Sequence, residues 1–163
     1  MLTSVSVDGI TAVYSALPTG LGLVVGMVRQ VQNTAKFVQL VQCKTTASAS
    51  LKVNDVLTLT SANTTTPVVD MTSANTDCIY AVNDNAGVVI PAGYYFWATI
   101  SGPVTILTEN GATAGKFQVG NAVTGSTADA GAWAATTRNS LLLLASNASG
   151  ATASRAANIF GSL

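Results

Sequence analysis

The chain has 163 residues, of which 48% are hydrophobic and only 9% are charged. Lysine and arginine total 7, aspartate and glutamate total 7, and histidine is absent. The balanced charge argues against a nucleic-acid-binding module, which needs clustered basic residues, and the high hydrophobicity argues against disorder. The longest apolar stretch, 21–28, is too short for a membrane span. No basic residue precedes Arg29, so the charged start of a signal peptide is not expected.

Residues 1–20 alternate apolar and polar positions, which is typical of an extended chain. The alternating apolar residues are Leu2, Val5, Val7, Ile10, Ala12 and Tyr14. Asp8-Gly9 is a turn signal, and Pro18 ends the pattern. The sequence therefore predicts an extended N-terminal arm or hairpin over 1–20, followed by a single β-rich domain over 21–163.

Two apolar runs between residues 24 and 43 flank the polar pair Asn33-Thr34. Their β-branched residues favour a β-hairpin that turns at this pair. A helix is the alternative, because the apolar residues from Val28 to Val38 also fit a period near 3.6.

An aromatic run at 94–100 predicts the strand with the densest aromatic content in the chain. Alternate residues of a strand face opposite sides, so Tyr94 and Phe96 face one side and Tyr95 and Trp97 face the other. One pair is expected in the core and the other at a subunit interface. A turn at Ser101-Gly102 is expected before the next strand, at 104–107.

The remaining predicted strands are short and are separated by turn residues. They lie at 56–60, 68–71, 78–82, 118–123 and 141–145. The alanine content of 151–159 is compatible with a short C-terminal helix. Strands at this spacing indicate an all-β fold, a compact β-sandwich or barrel-like domain of short antiparallel strands.

Catalysis has little support in the sequence, because the absence of histidine removes the usual catalytic triads. Four aspartates beside Gly, Asn or Ala are interpreted as solvated turn residues, namely Asp8, Asp55, Asp84 and Asp129. Asp70 and Asp77 flank strands and are expected to pair with Lys44 or Lys52. We therefore predict no enzymatic activity, no cofactor and no metal site.

Two further features have structural interpretations. Cys43 and Cys78 lack the spacing of metal ligands and are interpreted as buried thiols, with a disulfide as the alternative. The glycines from Gly20 to Gly26 superficially resemble a dinucleotide-binding loop. The required preceding strand, following helix and acidic residue are missing, so 20–26 is interpreted as a flexible link.

Residues 80–125 contain an ordered series of turn and strand motifs. The series is Gly87, Gly93-Tyr94 with Trp97, Ser101-Gly102-Pro103-Val104, Thr113-Ala114-Gly115 and Gly120, followed by an alanine-rich loop and the apolar run 141–144. In this order, the segment resembles the C-terminal half of small head proteins of tailed bacteriophages, the capsid decoration or cement proteins.

The resemblance implies a structural protein on the outer surface of an icosahedral capsid. Such proteins often form trimers at threefold and quasi-threefold positions and brace the shell against internal DNA pressure. The expected partners are the major capsid protein and further copies of this chain in a homotrimer, with neither nucleic acid nor membrane. The expected location is the virion surface, after synthesis in the host cytoplasm.

Candidate interface residues come from the arm and from the aromatic strand: Leu2, Val5, Val7, Ile10, Tyr14, Tyr95 and Trp97. An extended arm can add a strand to a neighbour's sheet edge, and the alternative is that it completes its own sheet. Two other function classes stay open. One is another virion part, such as a tail, adaptor or fibre component, and the other is a surface β-sandwich that binds carbohydrate through Tyr94, Tyr95 and Trp97.

Overall fold

The computed structural model describes residues 4–5, 11–47, 50–60, 65–72, 79–85, 88–108, 117–120, 130–131, 142–144 and 153–160. The strands within these ranges are β1 Ser4–Val5, β2 Val13–Tyr14, β3 Val28–Val31, β4 Phe37–Cys43, β5 Val56–Leu59, β6 Val68–Met71, β7 Ala81–Val82, β8 Tyr95–Thr108, β9 Phe117–Gly120, β10 Ala130–Gly131, β11 Leu142–Leu144 and β12 Ala153–Phe160. The predicted all-β class is confirmed. Within the described part of the chain, no helix is long and apolar enough to cross a membrane.

Five of these strands close into a barrel. They pair in the order β4, β6, β5, β7 and β8, and β8 pairs back with β4. The β4–β6 pair is parallel and the other four pairs are antiparallel. Of the two predicted architectures, the structure therefore has the barrel rather than the sandwich.

The barrel interior follows from the alternation of residues along its strands. Val41 and Cys43 of β4 and Phe96 and Ala98 of β8 point inward and are fully buried. Leu57, Val69 and Ala81 complete this cluster from the three strands between them. Burial of the large apolar side chains of this cluster contributes about 1.5–3 kcal/mol each, so the packed interior stabilises the closed ring.

The predicted β3–β4 hairpin is confirmed, and the helical alternative for this segment is wrong. Val28 lies opposite Gln39 and Gln30 lies opposite Phe37 in an antiparallel pair. Asn33 adopts a left-handed φ of 59° in the turn, a conformation that asparagine tolerates better than most residues.

The predicted turn at Ser101-Gly102 is wrong, because β8 runs through it as one strand of 14 residues. Phe37 of β4 pairs with Ser101 while Val38 pairs with Thr99, so Ile100 is the extra residue of a β-bulge. Gly102 has a φ of +105°, and a Cβ there would lie 2.6 Å from the Ala35 carbonyl oxygen. The Ser-Gly pair thus marks a bend within a strand, not a chain reversal.

The short C-terminal helix considered for residues 151–159 is also wrong, since residues 153–160 form β12. The strand pairs with β8 from Ala153–Thr108 to Phe160–Ser101 and with β11 on its other side. Ala157 and Ile159 are buried, whereas Ala156 and Phe160 are exposed, which is the period of a half-buried strand. Helix propensity is a weak preference, and strand pairing on both sides outweighs it.

The described parts of residues 1–20 pair with the chain's own strands. Ser4 and Val5 lie parallel to Gln30 and Val31 of β3. Val13 and Tyr14 pair antiparallel with Phe96 and Tyr95 of β8. This corresponds to the alternative in which the segment completes its own sheet.

Candidate interaction surface

The outer face of β4 and β8 carries a second apolar cluster. Val38 and Leu40 of β4 and Trp97 of β8 are buried there with Val31 of β3, and Tyr95 packs against them. Phe96 lies in the barrel interior, with Tyr94 packed against that cluster. The predicted division of the aromatic strand into two faces is confirmed.

The segment 15–27, which links β2 to β3, covers this outer cluster. Leu17, Leu23 and Met27 pack against it, and Trp97 retains only 3% exposure. Trp97 therefore offers almost no ring surface to a neighbouring subunit or to a sugar in this conformation.

The structure describes only some of the other predicted interface residues. Tyr14 and Tyr95 are cross-strand neighbours and are both half-buried. Val5 is placed only by its backbone pairing. Leu2, Val7 and Ile10 lie outside the described residues.

The stretch 18–26, whose residues 20–26 are interpreted above as a flexible link, is hydrogen-bonded to the barrel through its last residue. The Gly26 amide donates to the Leu40 carbonyl at 2.7 Å, and the Met27 amide donates to the Val24 carbonyl at 3.0 Å. Gln39 Nε2 donates to the Gly26 carbonyl at 3.0 Å. This stretch, named here the 18–26 loop, is thus fixed at its C-terminal end.

Two large apolar side chains of the 18–26 loop point into solvent. Leu21 is 60% exposed and Val24 is 62% exposed. Their neighbour Leu23 is turned toward the outer cluster, so the loop separates an anchoring side from a displayed side. Apolar residues on a fixed backbone are suited to protein contacts, because little conformational entropy is lost when they bind. The sequence did not indicate a role for Leu21 and Val24, because the glycines around them were interpreted only as a flexible link.

Arg29 lies beside this loop on β3. Its guanidinium carbon is 5.5 Å from the centroid of the Trp97 ring, within the range of a cation–π contact. Its Nε donates to the Met27 sulfur at 3.2 Å. The arginine is therefore held in place by the same residues that anchor the loop.

Lys36 and Lys44 each form an ion pair with an aspartate of the same chain. Lys44 Nζ lies 3.3 Å from Asp70 Oδ2, which confirms the predicted pairing of Asp70 with Lys44. Lys36 forms an ion pair with Asp84 and so ties the start of β4 to the segment after β7. Asp77 lies outside the described residues.

The interpretation of Asp55 as a solvated turn residue is wrong, because it is fully buried. Its Oδ2 accepts the Lys52 amide at 2.6 Å, and its carbonyl accepts the Asn83 amide at 3.0 Å. Asn83 Nδ2 in turn donates to the Lys52 carbonyl at 2.8 Å. Residues 52–55 do form a turn, as their composition indicates. Asn83 is hydrogen-bonded to this turn, so Asp55 is buried between two loops instead of facing solvent. Asp8 and Asp129 lie outside the described residues.

Cys43 is a free, buried thiol, as the sequence interpretation expects; Cys78 lies outside the described residues. Burial in the barrel, followed by the negative charge of Asp70, raises the pKa of the Cys43 thiol from 9.0 to about 11. A thiol in this state is a poor nucleophile at neutral pH. It serves as a small core residue rather than a reactive group.

The raised pKa of Cys43 predicts a loss of stability in alkali. Because the folded-state pKa exceeds the unfolded one, the stabilising effect of the neutral thiol is complete below pH 9.0 and is lost as the pH approaches 11. We expect the free energy of unfolding to fall by about 2 kcal/mol between pH 8.5 and 11 from this group, measured by urea unfolding. Burial also raises the pKa of Tyr80, so Cys43→Ala is the reference. A wild type that loses no more stability than Cys43→Ala contradicts the prediction.

No group of three or more potential metal ligands occurs among the residues that the structure places. The chain matches no protein-family model, no curated protein and no solved structure.

Proposed function

We propose that this chain is a capsid decoration protein that binds the outer surface of an icosahedral phage head and cements neighbouring major capsid subunits. The observation that carries the proposal is the 18–26 loop, which exposes Leu21 and Val24 and is hydrogen-bonded to the barrel at Gly26. The resemblance of residues 80–125 to phage head proteins supports the choice of partner.

The charge distribution supports a binding role in a crowded shell. Only 9% of residues are charged, and Lys36 and Lys44 are each paired with an aspartate of the same chain. Lysine and glutamate are depleted at the centres of protein interfaces, so a surface with few unpaired charges is suited to close subunit contacts. A homotrimer engaging several capsid subunits at once gains avidity from each repeated contact.

Replacing Leu21 and Val24 together with serine is expected to weaken binding to DNA-free heads by about 10- to 100-fold. Each side chain loses roughly 1 kcal/mol of apolar contact, and the combined loss of about 2 kcal/mol corresponds to roughly 30-fold in the affinity of a single site. The heads are assembled from the major capsid protein encoded in the same genome. Binding is measured by sedimentation, and the copy number per head is counted from the saturated pellet.

The matched control is Val89→Ser, because Val89 is 56% exposed but lies outside the loop. We expect the control to bind as the wild type does, and both proteins to keep the wild-type unfolding midpoint, since the loop residues are exposed. Failure of the wild type to bind heads contradicts the proposed function. Equal binding by the double variant and the wild type excludes the loop as the contact.

A further inference from the structure

We propose that the surface formed by Leu21, Val24 and Arg29 binds a carboxylate side chain that lies among apolar residues on the partner protein. The inference rests on the proposed function only for the partner's identity, the major capsid protein. The recognition chemistry follows from the residues of this chain.

Arg29 differs from the two paired lysines in its surroundings. Lys36 and Lys44 each form an ion pair with an aspartate. Among the residues that the structure describes, no carboxylate forms an ion pair with Arg29; its assigned contacts are the Met27 sulfur and the Trp97 ring. A guanidinium has five N–H donors, and one of them is used by Met27.

The contacts of Arg29 orient it for recognition. Stacking on Trp97 and the bond from Nε to Met27 restrict the side chain before any partner arrives. A restricted guanidinium loses less entropy on binding, and its planar fork matches the two oxygens of a carboxylate. Arginine is also among the residue types that most often dominate binding energy at interfaces.

The neighbouring residues define the kind of anion. The Met27 amide donates to the Val24 carbonyl, and the Met27 sulfur accepts from Arg29 Nε, so the guanidinium lies next to the turn that carries Val24, and exposed Leu21 lies three residues earlier in the same loop. A nucleic-acid backbone requires several clustered cations, whereas the 18–26 loop carries no basic residue and Arg29 is the single arginine that follows its exposed apolar residues. One Asp or Glu flanked by apolar residues is the complementary ligand.

The test compares Arg29→Gln and Arg29→Lys with the wild type in binding to DNA-free heads at increasing NaCl. We expect Arg29→Gln to bind at least 10-fold more weakly at low salt and to lose most of the salt dependence, because the charged contact is gone. Arg29→Lys keeps the charge but not the fork, and is expected to recover the salt dependence with only part of the affinity. Unchanged affinity and salt dependence in Arg29→Gln overturn the inference while leaving the proposed function intact.

A second measurement does not depend on heads. Butyrate is titrated into isotopically labelled protein, with butyramide as the uncharged probe, and the NMR signals of the Arg29 Nε–H and the Trp97 indole are followed. We expect saturable shifts with butyrate only, and none in Arg29→Gln. Absence of shifts in a wild type that also fails to bind heads overturns the inference together with the proposed function. Shifts without head binding support the inference and contradict the function.

Four variants check whether the carboxylate belongs to the chain itself. Asp8, Asp77, Glu109 and Asp129 lie outside the described residues, so each is replaced by its amide and measured beside Arg29→Gln. If any one of these replacements shifts the Arg29 Nε–H signal of the free protein as strongly as butyrate does, the anion is internal and the inference is wrong. If that signal is unchanged in all four, the site is open to a partner.

Discussion

Replacing Phe96 with alanine is expected to lower the free energy of unfolding by about 3–5 kcal/mol. Phe96 is fully buried in the barrel interior and lies opposite Val41 of β4 and Val13 of β2. Removing its ring leaves a cavity between strands whose pairing closes the barrel, so the neighbours cannot collapse to fill it. Because domains are stable by only about 5–15 kcal/mol, the urea midpoint of this variant should fall steeply.

The reference for Phe96→Ala is Val89→Ala, which removes an apolar side chain that is 56% exposed. We expect a change within about 0.5 kcal/mol for this variant. Phe96→Leu is expected to lie between the two, since it retains most of the buried volume. A Phe96→Ala protein as stable as Val89→Ala would mean that the ring does not fill the barrel.

The strands of the barrel could be predicted because each carries its own alternation. Leu57 and Leu59 alternate with threonine, and the aromatic strand alternates between two faces with Phe96 inward and Trp97 outward. These are local patterns of period two, which a sequence displays directly. Closure of the ring was not predictable in the same way, because β4 and β8 are brought together by pairs such as Leu40 with Trp97, which are far apart in the chain.

The errors in the sequence prediction share a physical origin in contacts between distant segments. Gly102 indicates a turn when considered alone, but it bends a continuous strand because the Ala35 backbone lies against it. The alanines of β12 favour a helix locally, but β8 and β11 supply strand partners on both sides. Asp55 has turn neighbours in sequence, yet Asn83 covers it in space. Local propensity sets the preference, and the long-range partner decides the outcome.

Only part of the candidate surface could be predicted from the sequence, because it too depends on contacts between distant segments. The aromatic strand identified Tyr95 and Trp97, but nothing local indicated that Leu23 and Met27 would cover the indole. Leu21 and Val24 of the same loop are exposed, and Arg29 of β3 lies over the Trp97 ring. The surface thus depends on the backbone path of the 18–26 loop.

Replacing Gly26 with alanine is expected to cost about 2–4 kcal/mol of stability, the combined effect of two unfavourable terms. Gly26 has a φ of +91°, which costs an L-residue roughly 1–2 kcal/mol. A Cβ there would also lie 2.3 Å from the Thr65 carbonyl oxygen, so the backbone must move, as in an overpacked core. Movement at Gly26 stretches its hydrogen bond to Leu40, which anchors the loop. Urea unfolding measures the cost, and binding to DNA-free heads should weaken in parallel.

Two neighbouring glycines separate these terms. Gly22 has a φ of +60° and Gly20 has no positive φ, and a Cβ at either position would meet nothing within 4 Å. Gly22→Ala should therefore cost only the backbone term, about 1 kcal/mol, and Gly20→Ala should change stability by less than about 0.5 kcal/mol. Because Gly22→Ala leaves the anchor at Gly26 intact, it should bind heads nearly as well as the wild type does. If all three variants are equally stable, the contact between Gly26 and Thr65 does not hold the loop, and the fixed display of Leu21 and Val24 loses its structural basis.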